Sequence, residues 1–415
     1  MKKTSCTQGS LLDMPTPEKK TPALPDMKKS MSRLERLMEE LCPNGVPFEL
    51  IRNICYTITP PKKLNKKDYM LTGKYPIIDQ GHKFIIGYTN DNDSILKKSE
   101  YVIFGDHTRE VKYVNFAFAQ GADGVKILKT INNIIPKFLY YLLLNIKIEN
   151  RGYNRHWTLV TEIKIPVPPL PVQEEIVRIL DTFSELTSEL TSELNKRKQQ
   201  YQYYKNNLFH FNNVIWKKIG ELTRVFSASR VHKNEWKNTG VPFYRSSDII
   251  SFFYRVENNR GKVFISNELY CNLSNRSGKF QKEDILITGG GTIGIPYIVP
   301  NDDPIYVKDA DVICIKKNKY VISKFLYYYF LSTNFKEYLL SITNNAAIAH
   351  YTISQIEKTP IPVPPLEEQE RIVSILDRFD ALCNDLSSGL PAEIEARKKQ
   401  YEYYRDKLLT FKEAK

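Results

Sequence analysis

Residues 165–183 read IPVPPLPVQEEIVRILDTF, and residues 361–379 read IPVPPLEEQERIVSILDRF. The two stretches agree at 14 of 19 positions. A second pair follows, RKQQYQYYKNNLF at 197–209 against RKKQYEYYRDKLL at 397–409. Upstream, FLYY stands at 138–141 and at 325–328. A His-aromatic-Thr triplet precedes each Pro-rich stretch, His156-Trp157-Thr158 and His350-Tyr351-Thr352. Agreement on this scale does not arise by chance. The chain is one unit written twice: a globular segment, a Pro-rich exit and a long helix.

The punctuation sets the local structure. A VPPL run cannot sit inside a helix, because each proline ring removes a donor and clashes with the preceding turn. It marks an extended exit, and Pro171 with the acidic residues after it suits a first helical turn. Ile176, Ile179, Leu180, Phe183, Leu186, Leu190 and Leu194 recur at steps of three and four, and Tyr201, Tyr204 and Leu208 prolong the stripe. No Gly or Pro interrupts 172–209, so one helix of about 38 residues, roughly 57 Å long, is expected. The copy is broken at SSGLPAE (387–393), where Gly389 stops one helix and Pro391 starts the next. Inside the first helix, SELTSELTSEL (184–194) repeats a tetrapeptide, each copy adding about 6 Å and about 40° of rotation. If the repeat obeys a pseudo-twofold axis, the second helix returns antiparallel and the pair forms a coiled-coil spacer.

The globular segments, about 45–165 and 210–360, carry short alternating runs: YVIFGD, VKYVNFAFA, DILIT and DVICIKK. They read as strands with polar loops and some helix, an α+β fold class. The expected layout is a disordered leader 1–30, a first domain 31–165, a central spacer helix 166–209, a second domain 210–360 and a C-terminal spacer helix 361–415. Met27 or Met31 is an expected functional start. With 415 residues and 42% apolar content, two or more cores are the prior. No apolar run nears the roughly 20 residues of a membrane span. The six cysteines are scattered without a CxxC pair, which fits a reducing cytoplasm and offers no zinc site.

Charge locates a polyanion. The net charge is +13. Residues 45–165 hold 18 Lys/Arg against 11 Asp/Glu, and residues 210–360 hold 20 against 13. The helical stretches 166–209 and 361–415 are slightly acidic, at 5 against 6 and 9 against 11. A basic excess confined to two similar domains is the pattern of two phosphate-contacting bodies. Catalytic motifs do not hold up. GGGTIG (289–294) fits G-x-G-x-x-G, but IPYIVPNDDP follows it in place of a helix. EIK (162–164) has no partner acid, and no Asn- or Asp-Pro-Pro-aromatic loop for base methylation exists. The chain is expected to have no active site and to bind no metal.

Two variable basic domains, each ending in IPVPPL and the Q, IV, ILD and F positions after it, then the RK-QY-YY block, with tandem TSEL between them, resemble the DNA-specificity subunit of a type I restriction-modification enzyme. The IC subclass, with tetrapeptide-bearing helices, is the nearest pattern. The resemblance covers residues 31–415. It implies two target-recognition domains, each reading one half of a bipartite asymmetric site in double-stranded DNA. The helices would set the gap and dock two methylation subunits carrying S-adenosylmethionine. Restriction subunits with ATP and Mg would join that core. A competing reading is a coiled-coil scaffold whose domains bind proteins.

Arginine suits guanine O6 and N7, and Asn or Gln suits adenine N6 and N7. In the first domain the candidate DNA contacts are Lys62, Lys63, Lys66 and Lys67; Gln80, His82 and Lys83; His107, Thr108 and Arg109; and Asn154, Arg155 and His156. In the second they are Ser229, Arg230 and Lys233; Arg245, Ser246 and Ser247; Thr288 and Thr292; and Asn344, Asn345 and His350. The spacer and subunit-docking candidates are Leu186, Leu190, Leu194, Tyr201, Tyr204, Leu382, Leu386, Tyr401 and Tyr404.

Overall fold

Both Pro-rich exits form short strands that lead into helices, as the sequence requires. In the computed structural model Leu170–Asn207 is one helix of 38 residues, while its copy is split into Leu366–Asn384 and Leu390–Leu408. Gly389 sits in the split, where an added Cβ would come within 2.6 Å of the Ala381 carbonyl oxygen. The structure describes residues 27–414, apart from 122, 150, 151, 153, 259 and 344–349. The helix Met27–Leu41 begins inside the segment expected to be a disordered leader. The earlier part of that leader lies outside the described residues.

The chain divides into two units, one of the described residues up to Ser192 with Glu393–Lys415, the other Glu193–Ala392. In the first, a four-stranded sheet orders Cys55–Ile58, Val125–Thr130, Tyr101–Gly105 and Val111–Val114. A second sheet is built around the parallel pair Tyr75–Ile78 and Phe118–Gln120. The strand Phe48–Leu50 pairs with the Pro-rich exit Lys164–Pro166. The second unit repeats this plan. Val225–Ser227, Val312–Ile315, Ile285–Thr288 and Pro296–Ile298 form its four-stranded sheet. Val241–Tyr244 runs parallel to Tyr306–Val307, and Ile215–Lys218 pairs with the exit Pro360–Val363. It adds the helices Ser246–Tyr254, Asn267–Ser277 and Thr333–Thr343.

A buried glutamine joins each exit to its domain. Gln173 donates from Nε2 to the carbonyls of Asn133 (2.9 Å) and Pro168 (2.7 Å), and its Oε1 accepts from the Ile135 amide (2.9 Å). Gln369 makes the same three bonds, to Tyr320, Pro364 and Ile322. About two turns later, Asp181 accepts from Lys137 (2.7 Å) and Tyr141 (2.6 Å). Asp377 accepts from Lys324 and Tyr328, both at 2.6 Å.

The helical packing exchanges partners between repeats. In the Glu193–Ala392 unit, Tyr201 and Tyr204 from the first repeat's block pack on Phe379 of the second, at ring-centroid distances of 6.0 and 5.2 Å. In the other unit, Tyr401 and Tyr404 pack on Phe183, at 6.4 and 5.5 Å. Of the spacer and docking candidates, Tyr401 and Tyr404 pack against the core of the first unit, and Tyr201, Leu194 and Tyr204 belong to or pack against that of the second; Leu186 and Leu190 are buried, Leu382 is half-buried and Leu386 is exposed.

Candidate nucleic-acid interface

In each domain the polar loops converge beyond the parallel strand pair. Ile78 lies opposite Gln120, so Asp79 and Gly121 leave the two strands side by side. Tyr244 lies opposite Val307, so Arg245 and Lys308 leave at the matched place. A one-turn 3-10 helix lies before each pair, Lys66–Asp68 capped by Asn65 and Lys233–Glu235 capped by His232. One scaffold therefore presents an acid and a glycine in one domain and two cations in the other.

In the first domain Lys66 and Lys67 are exposed on the 3-10 turn. Lys62 pairs with Asp91 and Lys63 with Asp123, each at 2.8 Å. These hydrogen-bonded pairs hold both carboxyls below their ordinary range. Gln80 is a brace as much as a reader. Its Nε2 donates to the Asp123 carbonyl (2.8 Å) and its Oε1 accepts from the His107 amide (3.1 Å). The Thr108 hydroxyl donates to the Gln80 carbonyl. His82 is exposed and faces Glu110 at 3.2 Å. Lys83 is exposed too.

Lys112, hidden in the alternating VKYV strand, was not a sequence candidate. It is 5% exposed and donates to the carbonyls of Asp79 (2.8 Å) and Lys83 (2.7 Å), pinning the 79–83 loop. Burial pushes its ammonium below the ordinary lysine range, against the fields of Asp79 and Glu110. A lysine in an alternating strand reads as solvent-facing, so nothing in the pattern marked it.

Three first-domain residues require different placement. His156 is fully buried, with Nδ1 at 2.9 Å from the Asp106 carbonyl, so it ties two loops together and meets no DNA. Arg109 has φ 65° and donates from Nη1 to the Ile148 carbonyl (2.8 Å), a structural commitment. His107 is half-buried, while Asn154 and Arg155 are exposed beside the His156 turn.

In the second domain a cleft of about 750 Å³ is lined by Arg230, Lys233, Arg245, Ser247, Arg260 and Lys308 among others. Arg245 is held by Asp248 through Nε (2.8 Å) and Nη2 (3.0 Å), and Nη2 also meets the Gly261 carbonyl at 2.7 Å. The turn-forming residues of RSSD (245–248) suggest a loop, yet Ser246 opens the helix Ser246–Tyr254. Ser229 is half-buried, its amide donating to the Tyr306 hydroxyl at 2.9 Å. Thr288 is fully buried, its hydroxyl donating to the Thr292 carbonyl (2.6 Å), so it shapes the glycine loop and cannot read a base. Thr292 and His350 are exposed, and Asn344 and Asn345 lie outside the described residues. The GGGTIG segment links two antiparallel strands, with no helix after it.

Among the described residues no group of three or more His, Cys, Asp or Glu side chains is placed to hold a metal. Glu162 of EIK pairs with Arg52. No helix among them is long and apolar enough to cross a membrane.

Residues 53–198 and 213–396 match the type I restriction modification DNA specificity domain. The chain is 32% identical over 406 residues to the specificity subunit of the Escherichia coli type I restriction enzyme EcoR124I/EcoR124II, covering 92% of this chain and 97% of that one. Its fold is shared with the type I restriction-modification S subunit from M. genitalium, at TM-score 0.51 and 17% identity over 88% of this chain and 95% of the other. It is also shared with a chain solved in work on complex assembly and conformational transition of the type I R-M system, at TM-score 0.54 and 14% identity over 88% and 98%. The chain belongs to the type I restriction-modification DNA specificity family. It is a non-catalytic specificity subunit with two recognition domains, and its partners are DNA and the other subunits of such a system.

Proposed function

We propose that each recognition domain reads one half of a bipartite, asymmetric site in double-stranded DNA, and that the helices set the gap and dock two methylation subunits, in the manner of the IC subclass. The observation that carries this reading is the matched pair of loop clusters. The same strand exits bear Asp79 and Gly121 in one domain and Arg245 and Lys308 in the other. Duplicated scaffolds with unlike polar groups suit unlike half-sites, since base edges are told apart by their donor and acceptor patterns. S-adenosylmethionine would be carried by the methylation subunits, and ATP with Mg by the restriction subunits, at work in the cytoplasm.

Docking falls to residues left outside the helical packing. Tyr203 and Tyr403 are each 64% exposed at matched positions, although the exposed neighbours Gln202 and Glu402 differ. Leu170 and Leu366 are likewise exposed at matched helix starts.

The test is adenine-methylation sequencing in a host expressing this chain with its methylation subunit, beside variants lacking or gaining one TSEL unit. One tetrapeptide changes the helix by about 6 Å, or one to two base pairs of B-DNA at about 3.4 Å each. The gap should change by that amount while both half-sites persist. An unaltered gap would remove the helices from the reading.

A further inference from the structure

We propose that the cleft of the second domain clamps one phosphodiester of the DNA backbone, an anchor not repeated among the described residues at the matched strand exit of the first domain; this rests on the proposed DNA-reading function. Three observations of different kinds meet there. Five basic side chains line the cleft, Arg230, Lys233, Arg245, Arg260 and Lys308, against two acids, Asp309 and Asp311. Lys308 is paired with Asp311, and Arg245 with Asp248 behind it. Arg230, Lys233 and Arg260 are exposed, so an uncompensated positive charge remains at the mouth.

The helix Ser246–Tyr254 opens onto this cleft, since both Ser246 and Ser247 line it. The Ser246 and Ser247 amides of its first turn have no acceptor within the helix, at the positive end of the helix dipole, whereas the Asp248 amide donates to the Arg245 carbonyl at 2.9 Å. Two lining residues, Ser247 and Trp236, have buried polar atoms with no hydrogen-bond partner, the hydroxyl of the first and the indole N–H of the second. An indole N–H only donates, and a serine hydroxyl donates as readily as it accepts. The unsatisfied groups thus call for an acceptor, and the surrounding cations call for a negative one. A phosphate oxygen at a helix N-terminus meets both demands.

The first domain is built otherwise at the matched place. Its strand leads through Asp79 and Gln80 into a turn, with no helix opening there. The Asp79 carboxylate accepts from the Gly81 amide at 2.7 Å, so the local donor is already used. A phosphate anchor on one domain only would fix the register of the complex from one end. Phosphate contacts position a protein, whereas base contacts specify its sequence.

The test uses the assembled complex with its methylation subunits and duplexes bearing the methylated motif. Single methylphosphonate linkages are scanned across the second domain's half-site, and inorganic phosphate is titrated separately as a free competitor. Neutralising one linkage should weaken wild-type binding about 5- to 10-fold, by loss of one phosphate contact. In Arg260→Ala and Ser247→Ala that penalty should fall below about 2-fold, with the methylated motif unchanged. Arg260→Ala should also lower the salt-dependence slope by about 0.9. The Ser247 hydroxyl has no internal partner, so its removal breaks no bond of the fold. A scan with no such linkage, or a variant that relaxes one base of the motif, overturns the clamp. So does phosphate that competes at the cleft while DNA affinity is indifferent to both substitutions, which would make it a small-anion site. Absence of any bipartite motif would overturn the proposed function itself, a separate outcome.

Discussion

Replacing Gln173 with methionine keeps the side-chain volume and removes the three side-chain hydrogen bonds that tie the start of the central helix to its exit and to the 133–135 segment. Gln173 is fully buried, and three backbone groups depend on it: the carbonyls of Asn133 and Pro168 and the amide of Ile135. At about 1 kcal/mol net for each bond, the local cost is about 3 kcal/mol, and it is higher if no water reaches the orphaned groups. A chain of two units does not unfold in one step, so a single melting midpoint would blur the effect. Hydrogen exchange resolved by residue is the suitable assay. The Ile135 amide should exchange roughly 100-fold faster, the rate equivalent of about 3 kcal/mol of lost local stability. The Ile322 amide, held by Gln369 in the other unit, should not change. Gln369→Met should reverse the pattern. The methylated gap should also become mixed, because a loosened exit no longer fixes the direction of the helix. Acceleration below about 3-fold at Ile135, or equal acceleration at both amides, would refute the reasoning.

Two further outcomes follow from burial. Burial pushes the phenols of Tyr297, Tyr327 and Tyr401 up to about 12. The folded state therefore keeps protons that the unfolded chain gives up near the ordinary value of 10.0. The stability they contribute is complete below that value and is lost as pH rises from it through about 12; denaturation followed against pH, with phenolate absorbance alongside, checks the window. His156→Ala should destabilise the first domain by about 2 kcal/mol, as a buried polar contact is lost, and leave the methylated motif as it was; a motif relaxed at one base would restore His156 to the DNA surface.

The repeat carried much of the fold in plain view. IPVPPL fixed two strand exits, and an uninterrupted stripe fixed a helix found at Leu170–Asn207. The strand runs YVIFGD, DILIT and DVICIKK lie in strands. What stayed hidden depends on contacts distant in the chain. Periodicity shows that Tyr204 and Tyr401 lie on the apolar stripe of a helix, yet not that each packs on a phenylalanine of the opposite repeat. Lys112 reads as solvated until the carbonyls of Asp79 and Lys83 close over it. The candidate site was legible as loops and charge, and less so as geometry. RSSD is rich in turn residues, but the apolar IISFFY after it lets Ser246 start a helix. Thr288 and His156 have the right chemistry for reading bases, and only their burial withdraws them.

The crosswise aromatic packing bears on how such a chain can diverge. Phe183 depends on Tyr401 and Tyr404, and Phe379 on Tyr201 and Tyr204. Drift in either block must be matched in the opposite half of the gene, so a change that suits one half alone leaves a misfit in the other. The exposed loop residues Lys66, Lys67, Arg230 and Lys233 take no part in these ring contacts. The two copies are thus yoked at their joints and free in their reading surfaces, which lets one half acquire a new target while the frame that both halves share is inherited intact.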